Sequence, residues 1–137
     1  MKKAYLAIGM LSRKLRSAEI ETIRTVLAAG GYSLFIFVDT YHFSPAEEKQ
    51  MMAAAFREIR ASDLLIAEVS EKAIGVGIEM GYAAASGKPV LYLRHISAAH
   101  STTAAGTANE TLIYSNAAEL SHKLSGWLAA QIPGSGH

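Results

Sequence analysis

Apolar side chains follow one another along this chain in two rhythms, short unbroken runs and longer stretches in which they recur every three or four positions. Ala4-Tyr5-Leu6-Ala7-Ile8, Tyr32 to Val38, Asp63 to Val69, Val90 to Leu93 and Thr111 to Tyr114 are the runs. Runs this short and this apolar predict strands of a parallel sheet covered on both faces. Between them, Leu15, Ile20, Ile23, Val26 and Leu27 fall near helical spacing, which predicts a helix from Arg13 to Ala29 stopped by Gly30-Gly31. Ser44-Pro45-Ala46-Glu47 supplies an N-cap, a proline in the first helical position and a capping-box glutamate, so a second helix starts there and runs to about Ala61. A third is predicted from about Gly77 to Ser86, closed by Gly87, and a last one from the cap Asn116 through Trp127 to about Ala130. Gly9 to Ser12, Asp39 to Phe43 and the long small-residue stretch Ile96 to Asn109 are predicted loops.

Strands alternating with helices imply an α/β fold: a three-layer, doubly wound, five-stranded parallel sheet with right-handed crossovers and the flavodoxin-like order 2-1-3-4-5. Residues 1–132 are expected to form a single domain and residues 133–137 a disordered tail. Ligands of such sheets bind beyond the carboxyl ends of the strands, where the strand order reverses. The loops after Ile8, Val38, Val69 and Leu93 are therefore expected around one crevice.

Composition removes several classes of function. A net charge of +1 with Lys and Arg dispersed along the chain gives no field for a polyanion, so no nucleic acid is expected as partner. The chain has no cysteine, which excludes disulfides, thiolate metal sites and a cysteine nucleophile, and fits a reducing, cytoplasmic setting. No stretch approaches the roughly 20 apolar residues of a membrane span, so no membrane partner is expected.

The chemistry concentrates in Asp63 to Ala83, where a strand enters a glycine turn and then a helix. Gly75 and Gly77 permit close approach of a ligand to the backbone, and free amides at the helix start can hold an anion or a ribosyl hydroxyl. The dinucleotide fingerprint does not fit, because Gly81 comes one position late and the turn follows strand 3. Glu79 is placed in the first turn of this helix, where the dipole favours the ionised carboxylate. Such a group can attack an anomeric carbon to form a glycosyl ester. A glutamate at a helix start also simply complements the dipole, and spacing alone does not separate the two roles.

Ala67-Glu-Val-Ser70, Gly75-Val-Gly-Ile-Glu79-Met-Gly-Tyr-Ala83 and Gly87-Lys-Pro-Val-Leu91 together resemble the central signature of the nucleoside 2-deoxyribosyltransferases and the related 2′-deoxynucleoside 5′-phosphate N-hydrolases. The resemblance implies that Glu79 is the nucleophile at the deoxyribose anomeric carbon and that the flanking glycines shape the sugar pocket. It implies a small-molecule nucleoside or nucleotide as substrate, no cofactor, and a homodimer in which the region of Asn109 completes the neighbour's pocket. Members of that family carry an acidic residue where this chain has Ala55, and Asp or Ser where it has Ala73. The loop Gly9-Met10-Leu11-Ser12-Arg13 partly matches one that helps bind phosphate in the hydrolases. These departures leave two readings open: an N-glycosidic cleavage or transfer enzyme with a different acid, or a nucleotide-binding or sensing module that has lost its chemistry. A flavin-binding protein of the same sheet order is a remoter third.

Candidate substrate-binding residues are Gly9, Met10, Asp39, Tyr41, His42, Ser70, Gly75, Gly77 and Asn109, with Glu79 as the catalytic one. Asp39 or His42, after strand 2, could serve as a substitute proton donor, or belong to a solvated loop. Asp63 is expected to cap or pair, and Glu68 to line the pocket entrance. His95 and His100 form a polar lip after strand 4 and lack an acidic companion, so no metal site is expected.

Overall fold

The computed structural model describes residues 1–131; the tail beyond them, where disorder is expected from the sequence, lies outside the described residues. Five strands, β1 (Lys2–Ile8), β2 (Tyr32–Ile36), β3 (Leu64–Glu68), β4 (Val90–His95) and β5 (Glu110–Tyr114), form one sheet in the order β2-β1-β3-β4-β5. Every pairing is parallel, with Ala4 opposite Leu34 on one side and Leu64 on the other. The predicted order and direction are thus those observed.

The period of two along each strand sorts its side chains between two cores. Leu6, Ile8, Ile66, Leu91 and Leu93 face helices α2 (Ser17–Ala29) and α7 (Ala117–Ala130), whose Ile20, Ile23, Leu27, Leu120 and Leu124 are fully buried against them. Tyr5, Ala7, Leu65, Ala67 and Tyr92 face the other way, toward α4 (Glu48–Arg60) and α5 (Ile74–Ala85), meeting Ile59, Val76, Met80 and Ala83. Each fully buried Leu or Ile contributes about 1.5–3 kcal/mol of transfer free energy. The alternation therefore fixes register, since a one-residue slip would exchange the two faces. It also puts Tyr5 on the same side of the sheet as α5, and the functional site depends on that placement.

Element ends differ from the sequence reading in instructive places. The helix expected from Arg13 to Ala29 is two: α1 (Met10–Leu15) and α2, broken at Arg16, whose φ of −115° and ψ of 37° leave the helical region. Leu15, counted as part of the apolar stripe, is 72% exposed, so the periodicity there was accidental. β2 stops at Ile36, and Phe37–Thr40 forms a one-turn helix, α3, tied by Thr40 Oγ1 donating to the Ile36 carbonyl at 3.1 Å. The capping box at Ser44 and Glu47 is present, but it closes a 3₁₀ turn over Pro45–Glu47 before α4 begins at Glu48. The long loop before β5 contains α6 (Thr102–Thr107), capped by Ser101 Oγ accepting from the Ala104 amide at 3.3 Å. Its Thr, Ala and Gly residues have too little apolar periodicity to announce a helix.

Glu68 is the one charged side chain buried among the described residues, and it lines neither of the two cavities at the carboxyl ends of the strands. Its carboxylate accepts from Tyr114 Oη at 2.5 Å, the Ser70 amide at 2.8 Å and Ser70 Oγ at 2.9 Å. Three donors satisfy it in place, which gives it a structural role and corrects the expectation that it borders the pocket entrance. Asp63 pairs as expected, accepting from the Lys3 amide at 2.9 Å.

Candidate active site

β1 runs out at Ile8, and Gly9 turns the chain into α1; across the sheet, the segment after β3 rises into α5. Between these two departures, at the carboxyl ends of the strands and beside the point where strand order reverses, lies a cavity of about 340 Å³. Leu6, Ile8, Gly9 and Met10 form one side and Gly75, Val76 and Glu79 another. Phe37 and Val38 of α3, with Met51, Met52 and Ala55 of α4, complete an apolar wall.

α5 begins at Ile74, three residues earlier than its periodicity predicts, so Glu79 is in the second turn and the first turn holds no acid. The dipole is weak there. Burial governs instead: it pushes the Glu79 carboxyl up to about 7, opposed by a hydrogen bond from Tyr5 Oη to Glu79 Oε2 that favours the ionised form. Tyr5 is fully buried, and both its burial and the adjacent Glu79 raise its own pKa, so it stays protonated and acts only as donor. Among the described residues Glu79 thus combines a cavity wall, partial burial and a pKa poised near neutrality, a combination that marks catalytic carboxylates.

A second carboxylate borders the same space. Glu71 Oε1 accepts from the Ser12 amide at 2.9 Å, capping α1. It does so directly above Gly9, where a Cβ would lie 2.3 Å from Glu71 Oε1 and 2.5 Å from its Cδ. A side chain at position 9 fits only if that carboxylate moves. Gly9→Ala is therefore expected to push Glu71 off the Ser12 amide, costing about 1 kcal/mol as capping bonds do. Amide exchange at Ser12 should speed up in the variant, and unchanged protection there would contradict this.

The other candidates divide into those at the cavity and those away from it. Gly9, Met10 and Gly75 line it with Glu79. Gly77 and Ser70 line a neighbouring cavity of about 610 Å³ on the other side of the α5 start, with Lys72, His100, Thr102 and Thr103. A Cβ at Gly75 or Gly77 would meet no protein atom within 4 Å, so internal packing does not require either glycine. Asp39 is held by Arg13 in a two-pronged pair, Nε to Oδ1 at 3.0 Å and Nη2 to Oδ2 at 2.8 Å, which keeps its carboxyl below the usual range. Tyr41 donates to Glu58 Oε2 at 2.7 Å and clusters with Phe37 and Phe43, while His42 is exposed. Asn109 lies at the amino end of β5, its Oδ1 accepting from the Val90 amide at 2.8 Å, at the opposite end of the sheet from Glu79.

Ala55 and Ala73, the two positions where the resemblance implies an acid or a hydroxyl, both line the cavity with Glu79. Sequence reasoning missed Tyr5 and Glu71. Tyr5 is the lone hydroxyl in the Ala4–Ile8 run, which was a usable signal; nothing local distinguishes Glu71 from a solvated loop acid.

Comparison with known proteins bears on the fold and the family. The alignment with the 2′-deoxynucleoside 5′-phosphate N-hydrolase 1 assigned in Syntrophotalea carbinolica is 55% identical over 40 residues, spanning 29% of this chain and 28% of that protein. In three dimensions the chain is similar to the CMP N-glycosidase of Clostridium botulinum, with a TM-score of 0.67 and 24% identity over 92% of this chain and 99% of that one. The 2-deoxyribosyltransferase of Bacillus psychrosaccharolyticus gives 0.65 at 15% identity, over 89% and 95% of the two chains. These structural likenesses establish the shared fold. Residues 4–122 match the model of the family described as nucleoside 2-deoxyribosyltransferase, and the chain belongs to that family.

Proposed function

We propose that this protein cleaves, or transfers, the N-glycosidic bond of a nucleoside or its 5′-monophosphate, with Glu79 as nucleophile. The observation that carries this reading is Glu79 itself, half-buried in the wall of a cavity between β1 and α5 and held by Tyr5. Ionised Glu79 attacks the anomeric carbon, the glycosidic bond breaks toward the base, and a glycosyl ester forms. Water or a second base then opens that ester, which releases the sugar or a new nucleoside. The flat apolar wall of Phe37, Val38, Met51 and Met52 suits the face of a base. Residues 1–132 act as one domain in this reading. Exposed Ile74 and Ile78 on one side of α5 support a homodimer, and the cysteine-free composition supports a cytoplasmic setting.

The second reading, a binding or sensing module without chemistry, is favoured by one observation: the cavity beside Glu79 has alanine at 55 and 73, and its other carboxylate, Glu71, is engaged by the Ser12 amide. A base-release screen of nucleosides and 5′-nucleotides, with Glu79→Ala run alongside, separates the two. Release that depends on Glu79 supports the enzyme. Binding by calorimetry with no release from any compound supports the module.

A further inference from the structure

The Glu79 cavity has an unusual charge for something that would hold a nucleotide. Two carboxylates, Glu71 and Glu79, line it, and no Lys, Arg or His is among its lining residues. The two groups near it that could have served a phosphate are already engaged by acids. The Ser12 amide donates to Glu71, and the Arg13 guanidinium is held in its two-pronged pair with Asp39. Lys72 and His100 line the adjoining cavity, which Glu71 also borders, so Glu71 stands between the Glu79 site and those two side chains.

The cavity is also polarised along its length. Its α3 and α4 side is apolar, while its polar end, beside Gly9, carries the Glu71 carboxylate, of which Oε1 is bonded to Ser12. A sugar seated on Glu79 with its base against the apolar wall directs its 5′ arm toward that polar end. There a hydroxyl can donate to a carboxylate oxygen, whereas a phosphate dianion meets a negative charge with no cation among the residues that line this cavity.

We propose that Glu71 sets which 5′ substituent the site accepts, admitting the free 5′-hydroxyl of a nucleoside and rejecting a 5′-phosphate. This rests on the reading of Glu79 as the point of attack. Glu71→Gln is the informative variant, because it keeps an oxygen to accept from Ser12 and removes only the charge.

The test measures kcat and KM for base release from a set of purine and pyrimidine 2′-deoxynucleosides, each beside its own 5′-monophosphate, at pH 7.5. The wild-type protein should favour the nucleoside by at least tenfold in kcat/KM. Glu71→Gln should narrow that ratio by at least tenfold, mainly through a lower KM for the monophosphate. A wild-type preference for the monophosphate, or an unaltered ratio in a variant with the wild-type circular dichroism spectrum, overturns the proposal. The same pairs are titrated calorimetrically into Glu79→Gln, so the selectivity is read even without turnover. Nucleoside binding that excludes the monophosphate until Glu71→Gln is added to the same protein, with no base release by the wild type, upholds Glu71 as selector and ends the glycosidase reading; exclusion that Glu71→Gln does not relieve overturns the proposal. Binding of neither compound at millimolar concentration ends both.

Discussion

Replacing Glu79 with glutamine is expected to make the protein at once far less active and, at alkaline pH, more stable. Loss of the nucleophile should lower kcat/KM for base release by about 10³-fold or more. The gain in stability follows from the same burial that raises the carboxyl from its ordinary value to about 7. Between those two values the folded protein binds the Glu79 proton and the unfolded chain does not, so stability falls as pH rises. The protonated carboxyl's contribution is fully present below the unfolded value and is lost as pH rises through about 7. Above that, keeping the buried group ionised costs about 3 kcal/mol relative to acid conditions. Glutamine does not titrate. Denaturant unfolding should show Glu79→Gln more stable than wild type by about 2–3 kcal/mol at pH 8, with the difference shrinking toward zero near pH 5. A stability difference that stays the same at pH 5 and pH 8 would mean that folding does not raise the Glu79 pKa.

Tyr5→Phe has the second largest expected effect, and its signature is a displaced pH profile. The Tyr5 hydroxyl donates to Glu79 Oε2 and offsets part of the burial that disfavours the carboxylate. A hydrogen bond to a charged group contributes about 1.5–3 kcal/mol, so its removal should raise the Glu79 pKa by about 1–2 pH units. Base release needs the ionised form. The acid limb of kcat/KM, with its midpoint near 7 in the wild type, should therefore move alkaline, and activity at pH 6 should fall about tenfold or more while activity at high pH largely recovers. A uniform loss across the pH range would mean that Tyr5 only packs the core.

These two residues also show what could be read from the sequence and what could not. Glu79 stood out because a strand, a glycine turn and a helix surround it, all features of local order. The carboxylate's environment was misjudged: placing it in the first turn suggested a dipole-stabilised anion, whereas α5 starts at Ile74 and burial dominates. Tyr5 lies 74 positions away, and only the β1 register and the two-residue alternation bring its hydroxyl to α5. The sheet was legible because each strand holds a short apolar run and the runs alternate with helices. The break at Arg16 and the turn Phe37–Thr40 were not, since tertiary partners decide them; Asp39, taken for a ligand residue, is tied to Arg13 across 26 positions.

Ala55 and Ala73 were recognised in sequence as departures, and their place in the cavity wall gives the departures physical meaning. A leaving base here finds no acid at either position. If turnover occurs, the substrates should be those whose bases leave with least help, and a narrow preference among bases is the corresponding expectation.

The most direct test of Glu79 as nucleophile is to quench the protein with acid during reaction with a deoxynucleoside at pH 8 and map its peptides by mass spectrometry. The mechanism predicts a deoxyribosyl group on the peptide containing Glu79. The same group on another carboxylate, or rapid base release with no sugar retained on any peptide, would contradict it.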